Sequence, residues 1–289
     1  MNIDEFGLIP LTAEQFLGQS VGVLGIKGSG KSNSAAVLAE ELLLAGVPIC
    51  IVDVANEYAG LKERFTIYSV GCSIQPQTLD AKLGPERAAA AAKRSYERGV
   101  SVILDVSGFP RQARDAFLLE YLTALWNLSQ TLRYPYILFL EEAHNYIPQA
   151  GQTPVTAVLT DIACEGRKRG LGIVMIGQRS ARIDKNVLAQ ADILFLHRVR
   201  HPADLSVYYD LIPRERRKVQ EMVGKLKVGD ALVLFGEEVQ RHGIRRRHTP
   251  HWGYTPSMAD LPSERGVVSV QDLVQAELPL LQMLPRNNQ

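Results

Sequence analysis

The sequence lacks the features that mark several common classes of protein. No apolar stretch in its 289 residues approaches the roughly 20 needed to span a membrane. The N-terminus is too acidic and polar for a secretion signal. The three cysteines are odd in number and include no C-x-x-C pair, so they indicate no disulfide or zinc framework. We therefore expect a cytoplasmic protein with reduced thiols and no membrane partner.

The sequence also has little net charge and few aromatic residues. A formal net charge of +1 excludes a global field that attracts nucleic acid. Its basic residues occur in local groups with acidic residues close by, and no aromatic residues interleave with them as a single-strand stacking surface requires. Any DNA contact is therefore expected to involve the backbone of a duplex, independent of base sequence, at residues that the sequence does not identify.

What the sequence does contain is a phosphate loop, residues 25–32. It reads Gly-Ile-Lys-Gly-Ser-Gly-Lys-Ser and matches G-x-x-x-x-G-K-[ST] at every fixed position, between an apolar run and a helical run. The glycines allow backbone N–H groups to point at phosphate oxygens, while Lys31 supplies a charge and Ser32 a hydroxyl for Mg²⁺. We expect ATP and Mg²⁺ to bind here, at Gly25, Lys27, Gly28, Ser29, Gly30, Lys31, Ser32 and Asn33.

Alternating apolar and helical runs predict the fold. Strands are expected at 21–26, 48–54, 65–70, 101–106, 136–140, 172–177, 192–197 and 231–235, and helices at 32–45, 78–98, 111–131, 155–169, 203–210 and 214–223. This order favours an α/β fold with a mainly parallel central sheet and helices on both faces. A hairpin or exposed edge is expected over 236–248. The predicted organisation is a lead-in (1–19), a nucleotide-binding domain (20–250) and a tail (251–289) with a docking helix.

The rest of the site is expected where strands end in polar residues. Asp53, Asp105 and Glu141 each end an apolar run, but only Glu141 is followed directly by a second acid, Glu142. We assign Glu141 to Mg²⁺ and Glu142 to the attacking water, with Asp53 as an alternative metal ligand. Gln178 follows another apolar run and is expected to sense the γ-phosphate.

A cluster of cations lies at residues 167–169, at the end of a predicted helix. Cations are favoured at helix C-termini, which explains their sign. Phosphoryl transfer also uses an added positive charge, often from another subunit, and we assign this role to Arg167. The run Asp105-Val106-Ser107-Gly108 matches the D-x-x-G of GTPases, but no N-K-x-D follows it, so the GTPase interpretation is the weaker one.

In this order the motifs resemble the HerA–FtsK superfamily, and HerA-like ATPases in particular. The resemblance spans roughly residues 20–250. One departure is Asn56, which stands where the family has glycine in a Gly-Glu-Tyr element. The matching segments are the phosphate loop, residues 141–145, 165–172 and 178–180, and more loosely 51–58, 198–204 and 245–249.

The resemblance implies a RecA-like ATPase of the ASCE class. It also implies a ring, usually of six subunits, with ATP at each junction and DNA in the middle. By family pattern Glu142 is the catalytic acid, Gln178 the sensor, and Arg167 the arginine finger, with Arg198 as a second candidate. HerA meets a nuclease through an N-terminal β-barrel that 19 residues cannot form. This departure argues against a nuclease partner of the HerA type and favours a mobile-element, viral packaging or defence-system version.

Two other functions remain open at the level of sequence. In the first, ATP binding holds an assembly together and a separate effector does the work. In the second, the phosphate loop belongs to a small-molecule or nucleotide kinase. The kinase interpretation lacks an evident acceptor site or lid, and it does not explain Glu142 together with Gln178.

Overall fold

A ten-stranded sheet lies at the centre of the residues that the computed structural model describes, 11–253. The strand order is β10-β9-β8-β1-β7-β6-β2-β5-β3-β4. Only the β8–β9 and β9–β10 pairs are antiparallel. The predicted, mainly parallel sheet is therefore confirmed. The strands, β1 to β10, are Ser20–Leu24, Ile49–Asp53, Tyr68–Gly71, Ala81–Lys82, Val102–Asp105, Tyr136–Leu140, Leu171–Gly177, Ile193–Leu196, Asp230–Phe235 and Glu238–Gly243.

Helices cover both faces of the sheet, as predicted, but unequally. Consecutive strand residues point to opposite faces, so Ile49 and Ile51 pack in one core and Cys50 and Val52 in the other. Within residues 11–253 the α-helices, α1 to α7, are Lys31–Leu44, Pro85–Glu97, Arg111–Ser129, Pro154–Glu165, Lys185–Leu188, Pro202–Leu211 and Arg216–Gly224. The first core lies under α1, and the larger second core lies under α2, α3, α4, α6 and α7.

Two predicted helices have the wrong bounds. The helix expected from residue 78 begins only at Pro85, because proline's fixed φ suits a helix start, and the preceding residues form the short edge strand β4. The helix expected to run to residue 169 ends at Glu165. A 3-10 turn, Gly166–Arg169, follows and stops at Gly170, whose φ of +78° is left-handed. The predicted hairpin is present as β9 and β10.

The described residues before β1 belong to the fold. A 3-10 helix, Ala13–Phe16, packs Phe16 into the core under α1. None of the helices within residues 11–253 has the length and hydrophobicity required to cross a membrane. The docking helix predicted for the tail lies outside the described residues.

Candidate functional site

The phosphate loop follows β1 and leads directly into α1. Gly28 and Gly30 have φ values of +73° and +109°, a region that favours glycine, so the loop's curled backbone depends on them. Gly30 is the N-cap of α1, and no side chain caps the helix. The first N–H groups of α1 are thus available to an anion, in the field of the helix's positive end.

Neighbouring strands hold the loop on the side facing the protein. The Ile26 N–H donates to the Arg198 carbonyl after β8 (3.2 Å), and the Gly229 N–H before β9 donates to the Ser29 carbonyl (3.0 Å). A Cβ on Gly30 would lie only 3.0 Å from the Gly229 backbone. The loop is therefore fixed by contacts with the residue pair after β8 and the residue before β9, which the sequence did not predict.

The strand order brings Glu141, Glu142 and Gln178 to the carboxyl ends of the strands, where the phosphate loop also lies. β7 lies between β1 and β6, so the ends of β1 and β6 are about 10 Å apart, with Gln178 between them. Gln178 Nε2 donates to Glu142 Oε1 at 2.6 Å. Glu142 adopts a left-handed φ of +48°, and His144 Nδ1 lies 3.2 Å from its Oε2. The structure thus joins Glu142 and Gln178 at the loop's open side.

Charge and burial set the protonation of this cluster. Burial raises the pKa of Glu142 above its usual value, while nearby Lys31 opposes that shift. Burial lowers the pKa of Lys31, and the carboxylates of Glu141, Glu142 and Glu57 oppose that change. Burial and the neighbouring cations lower the pKa of His144, which keeps its ring neutral. A raised pKa makes Glu142 a stronger base near neutral pH.

Glu141 is more deeply buried, and its partner is Tyr58, a residue with no predicted role of its own. The Tyr58 hydroxyl donates to its Oε1. Burial raises the pKa of Glu141 to about 8, and this hydrogen bond offsets part of the rise. The Ser32 hydroxyl and the Glu141 carboxylate are oxygen donors that suit Mg²⁺ together with phosphate oxygens and water. These residues therefore fit the metal that the loop implies.

Asp53 does not fit its role as the alternative metal ligand. Its carboxylate accepts the backbone N–H groups of Ala55, Glu57 (both 3.1 Å) and Tyr58 (2.9 Å). Although those bonds favour the charged form, burial raises the pKa of Asp53 to about 6. Asp53 thus shapes the turn that presents Tyr58 to Glu141.

The backbone conformation of Asn56 explains why this residue can stand where the family has glycine. Its φ is +55°, a region that glycine enters freely and that asparagine tolerates better than most residues. Its Nδ2 donates to the carboxylate of Asp105 and to the hydroxyls of Ser73 and Thr78. Asp105 is therefore bound by the turn that follows β2, and β7, β6 and β2 separate its strand from β1. This position does not support the GTPase interpretation.

Arg167 lies at the amino ends of the parallel strands, whereas the phosphate loop lies at their carboxyl ends. It precedes β7, whose seven residues span about 20 Å, and its backbone packs beside Gly18 before β1. Its side chain is exposed, whereas the Arg169 guanidinium lies 3.6 Å over the Trp126 ring. Arg167 cannot reach the loop of its own chain, so any role in hydrolysis requires a second copy.

Arg198 and Asn33 both lie beside the phosphate loop of their own chain. Arg198 follows β8 and places its backbone carbonyl on the loop of its own chain, so the structure groups it with the cis site. Asn33 uses both side-chain groups on a distant segment: Nδ2 donates to the Arg245 carbonyl (2.7 Å), and Oδ1 accepts from the Arg247 N–H (2.9 Å). Its backbone N–H remains for phosphate.

His197 lies buried behind the loop and leads to a testable pH dependence. Burial lowers its pKa to about 4. Between pH 4 and the unfolded value near 6.5, only the unfolded chain holds this proton, so this residue costs up to about 1.4 kcal/mol of stability per pH unit as the pH falls. We expect His197→Phe to reduce that acid sensitivity in urea unfolding measured from pH 4.5 to 7.5. The exposed His248→Gln variant should retain it, and parallel curves for wild type and His197→Phe would contradict the assignment.

The fold and the site define a P-loop NTPase of the RecA-like ASCE class, with the acidic strand one position removed from the loop strand. The family model for the central domain of the helicase HerA matches residues 8–96. The chain is 25% identical to the DNA double-strand break repair helicase HerA of Pyrococcus furiosus over 127 residues. It is 24% identical to the same helicase of Saccharolobus solfataricus over 146 residues. These matches cover 44% and 48% of this chain but only 23% and 29% of the relatives.

Two solved structures share the fold. The genome packaging NTPase B204 of Sulfolobus turreted icosahedral virus 2 aligns with a TM-score of 0.55 at 19% identity, over 78% of this chain and 96% of that one. VirB4 of Thermoanaerobacter pseudethanolicus aligns with a TM-score of 0.57 at 16% identity, over 80% and 90%. The resemblance inferred from the sequence is confirmed: the chain is similar in sequence to HerA helicases and shares the fold of these P-loop ATPases.

Proposed function

We propose that this protein hydrolyses ATP in a site shared between two copies, and that a ring of copies, six by family pattern, uses the energy to move along duplex DNA. One observation carries the proposal: the Glu142 carboxylate is bonded to the Gln178 amide at the open side of the phosphate loop, beside Lys31. A structural turn or a kinase site needs no such pair. The curated relatives are named as DNA repair helicases, which supports DNA as the polymer.

The residues have distinct tasks in the proposed reaction. Glu142 accepts a proton from the attacking water as the water approaches the γ-phosphate. Gln178 orients Glu142 through their hydrogen bond and reports whether the γ-phosphate is present. Lys31 and the loop N–H groups hold the phosphates, and Mg²⁺, when bound by Ser32 and Glu141, neutralises charge on their oxygens.

Phosphoryl transfer also uses an added positive charge at the γ-phosphate, often supplied by another subunit. We assign this charge to Arg167 of an adjoining copy, because the Arg167 side chain is exposed at the amino ends of the strands, away from its own loop. If the strand amino ends of one copy face the strand carboxyl ends of the next, the guanidinium of the first copy reaches the loop of the second. Arg198, which lies against its own loop, is assigned to the same chain's nucleotide.

The DNA motor is tested by phosphate release from ATP with and without DNA. We expect duplex DNA of unrelated sequences to stimulate turnover several-fold and equally, and chromatography with ATP to show an assembly larger than a dimer. Single-stranded DNA serves as the control polymer. Turnover that is unchanged by DNA while the assembly still forms would favour the assembly module. Phosphate transfer to a small acceptor without phosphate release would favour the kinase.

A further inference from the structure

A second cleft opens beside the start of α1, on the side of the loop away from Glu142. Its volume is about 580 Å³. One wall is the phosphate loop and the first turn of α1, Gly30 to Asn33. The other wall comes from the loop before β9 and from a stretch that we call the closing segment, residues 244–253, and its members are Val228, Ile244, Arg246, Arg247 and His251.

The direction of the bound phosphates selects this cleft for the nucleoside. A phosphate loop holds the β- and γ-phosphates near its lysine, here Lys31, and the γ-phosphate faces the catalytic acid. Glu142 and Gln178 lie at that end, where another cleft of about 610 Å³ is lined by Gln178, Arg179 and Arg182. The α-phosphate and the nucleoside must extend the other way, over the first turn of α1 and into the second cleft.

The second wall has the chemistry that a nucleoside requires. Val228 is 63% exposed, a solvated apolar side chain that a planar base can cover. Arg246 and His251 are exposed planar groups that can stack on a base or bond to ribose hydroxyls. Among the described residues that line this cleft none is acidic, so an anionic nucleotide meets no repulsion there.

The closing segment is fastened in place by an acid in the middle of α1. Glu40 is fully buried and accepts four hydrogen bonds from the segment, including Arg245 Nη1 (2.7 Å) and both the N–H and the hydroxyl of Thr249 (2.8 Å each). Glu41 accepts Arg245 Nη2 (2.7 Å). A carboxylate at a buried helix position is costly unless paired, and here the pairing fixes one wall of the cleft.

The closing segment also contacts Glu57 and Tyr58, beside Glu141, the acid assigned to Mg²⁺. The Arg247 guanidinium donates to the Glu57 carbonyl (3.4 Å) and lies 5.9 Å from the Tyr58 ring, whose hydroxyl donates to Glu141. One continuous set of contacts therefore runs from the second cleft to Glu141.

We propose that the closing segment is the nucleoside-binding wall of the ATP site, with Arg246 and His251 contacting the base and ribose. This inference rests on the proposed function, because it assumes that the loop binds a nucleoside triphosphate. It adds a subsite from a part of the chain more than 200 residues from the loop.

The test compares nucleotides with a ligand that lacks the nucleoside. Binding of ATP, ADP and inorganic tripolyphosphate is measured by calorimetry for wild type and for the double variant Arg246→Ala/His251→Ala. Both side chains are exposed, so the fold should be unaffected. We expect about a tenfold loss of ATP and ADP affinity, about 1.4 kcal/mol, with tripolyphosphate affinity unchanged. Arg217→Ala on α7, an exposed arginine away from the cleft, should leave all three affinities unchanged.

Two results would overturn the inference. Unchanged ADP affinity in the double variant would show that these side chains do not touch the nucleoside. An equal loss for tripolyphosphate would show that they act only as charges on the phosphates. Failure of the proposed function looks different: wild type would then release no phosphate from ATP, or would release it at a rate that duplex DNA leaves unchanged, whatever the double variant binds.

Discussion

Replacing Glu142 with glutamine is expected to lower ATP turnover by about 10²- to 10⁴-fold, the usual contribution of a general base. Glutamine keeps the shape and the contact with Gln178 but cannot accept the proton. ATP affinity should stay within a fewfold of wild type, since Lys31 and the loop N–H groups are intact. Phosphate release and nucleotide binding, measured on the same preparation, separate the two effects.

The matched control for that variant is Glu120→Gln, which removes an exposed carboxylate from α3. It should turn over ATP at the wild-type rate. Wild-type turnover in Glu142→Gln would remove the base assignment. Loss of ATP binding in the same variant would instead show that Glu142 supports the loop rather than the chemistry.

Arg167→Ala is expected to lower turnover by about 10³-fold or more, in the range of a catalytic arginine supplied by another subunit. Arg167 lies some 20 Å from its own loop, so nucleotide affinity should be largely unaffected. Arg133→Ala is the control, because Arg133 lines the same surface cleft and leaves Arg167 in place. Turnover should fall in the first variant alone, and equal losses in both would indicate a general effect of surface charge.

Local sequence signals were sufficient to predict which residues meet in the central part of the candidate site. The phosphate loop depends on consecutive residues, and Glu141, Glu142 and Gln178 each follow an apolar run. Because parallel strands end at a common edge, their convergence follows from the fold class alone. The pairing of Glu142 with Gln178 required the strand order, which places β7 between β1 and β6.

The parts that could not be predicted are set by contacts between distant residues. Glu40 reads as one of two acids on a helix, and only folding places it against Thr249, 209 positions away. Tyr58 lay in a matched segment, but nothing local showed that its hydroxyl reaches Glu141. The predicted start of α2, residue 78, is too early. The helix begins at Pro85, because proline favours a helix start more strongly than the residues before it.

The most direct test of the shared site mixes two inactive variants. Lys31→Ala lacks a working loop but keeps Arg167, and Arg167→Ala has the reverse defect. If one copy's arginine completes the next copy's site, the mixture should recover a measurable part of wild-type ATP turnover, because sites with an intact loop and an intact neighbouring arginine re-form. A mixture that co-assembles by chromatography yet stays as inactive as either variant alone would contradict the account.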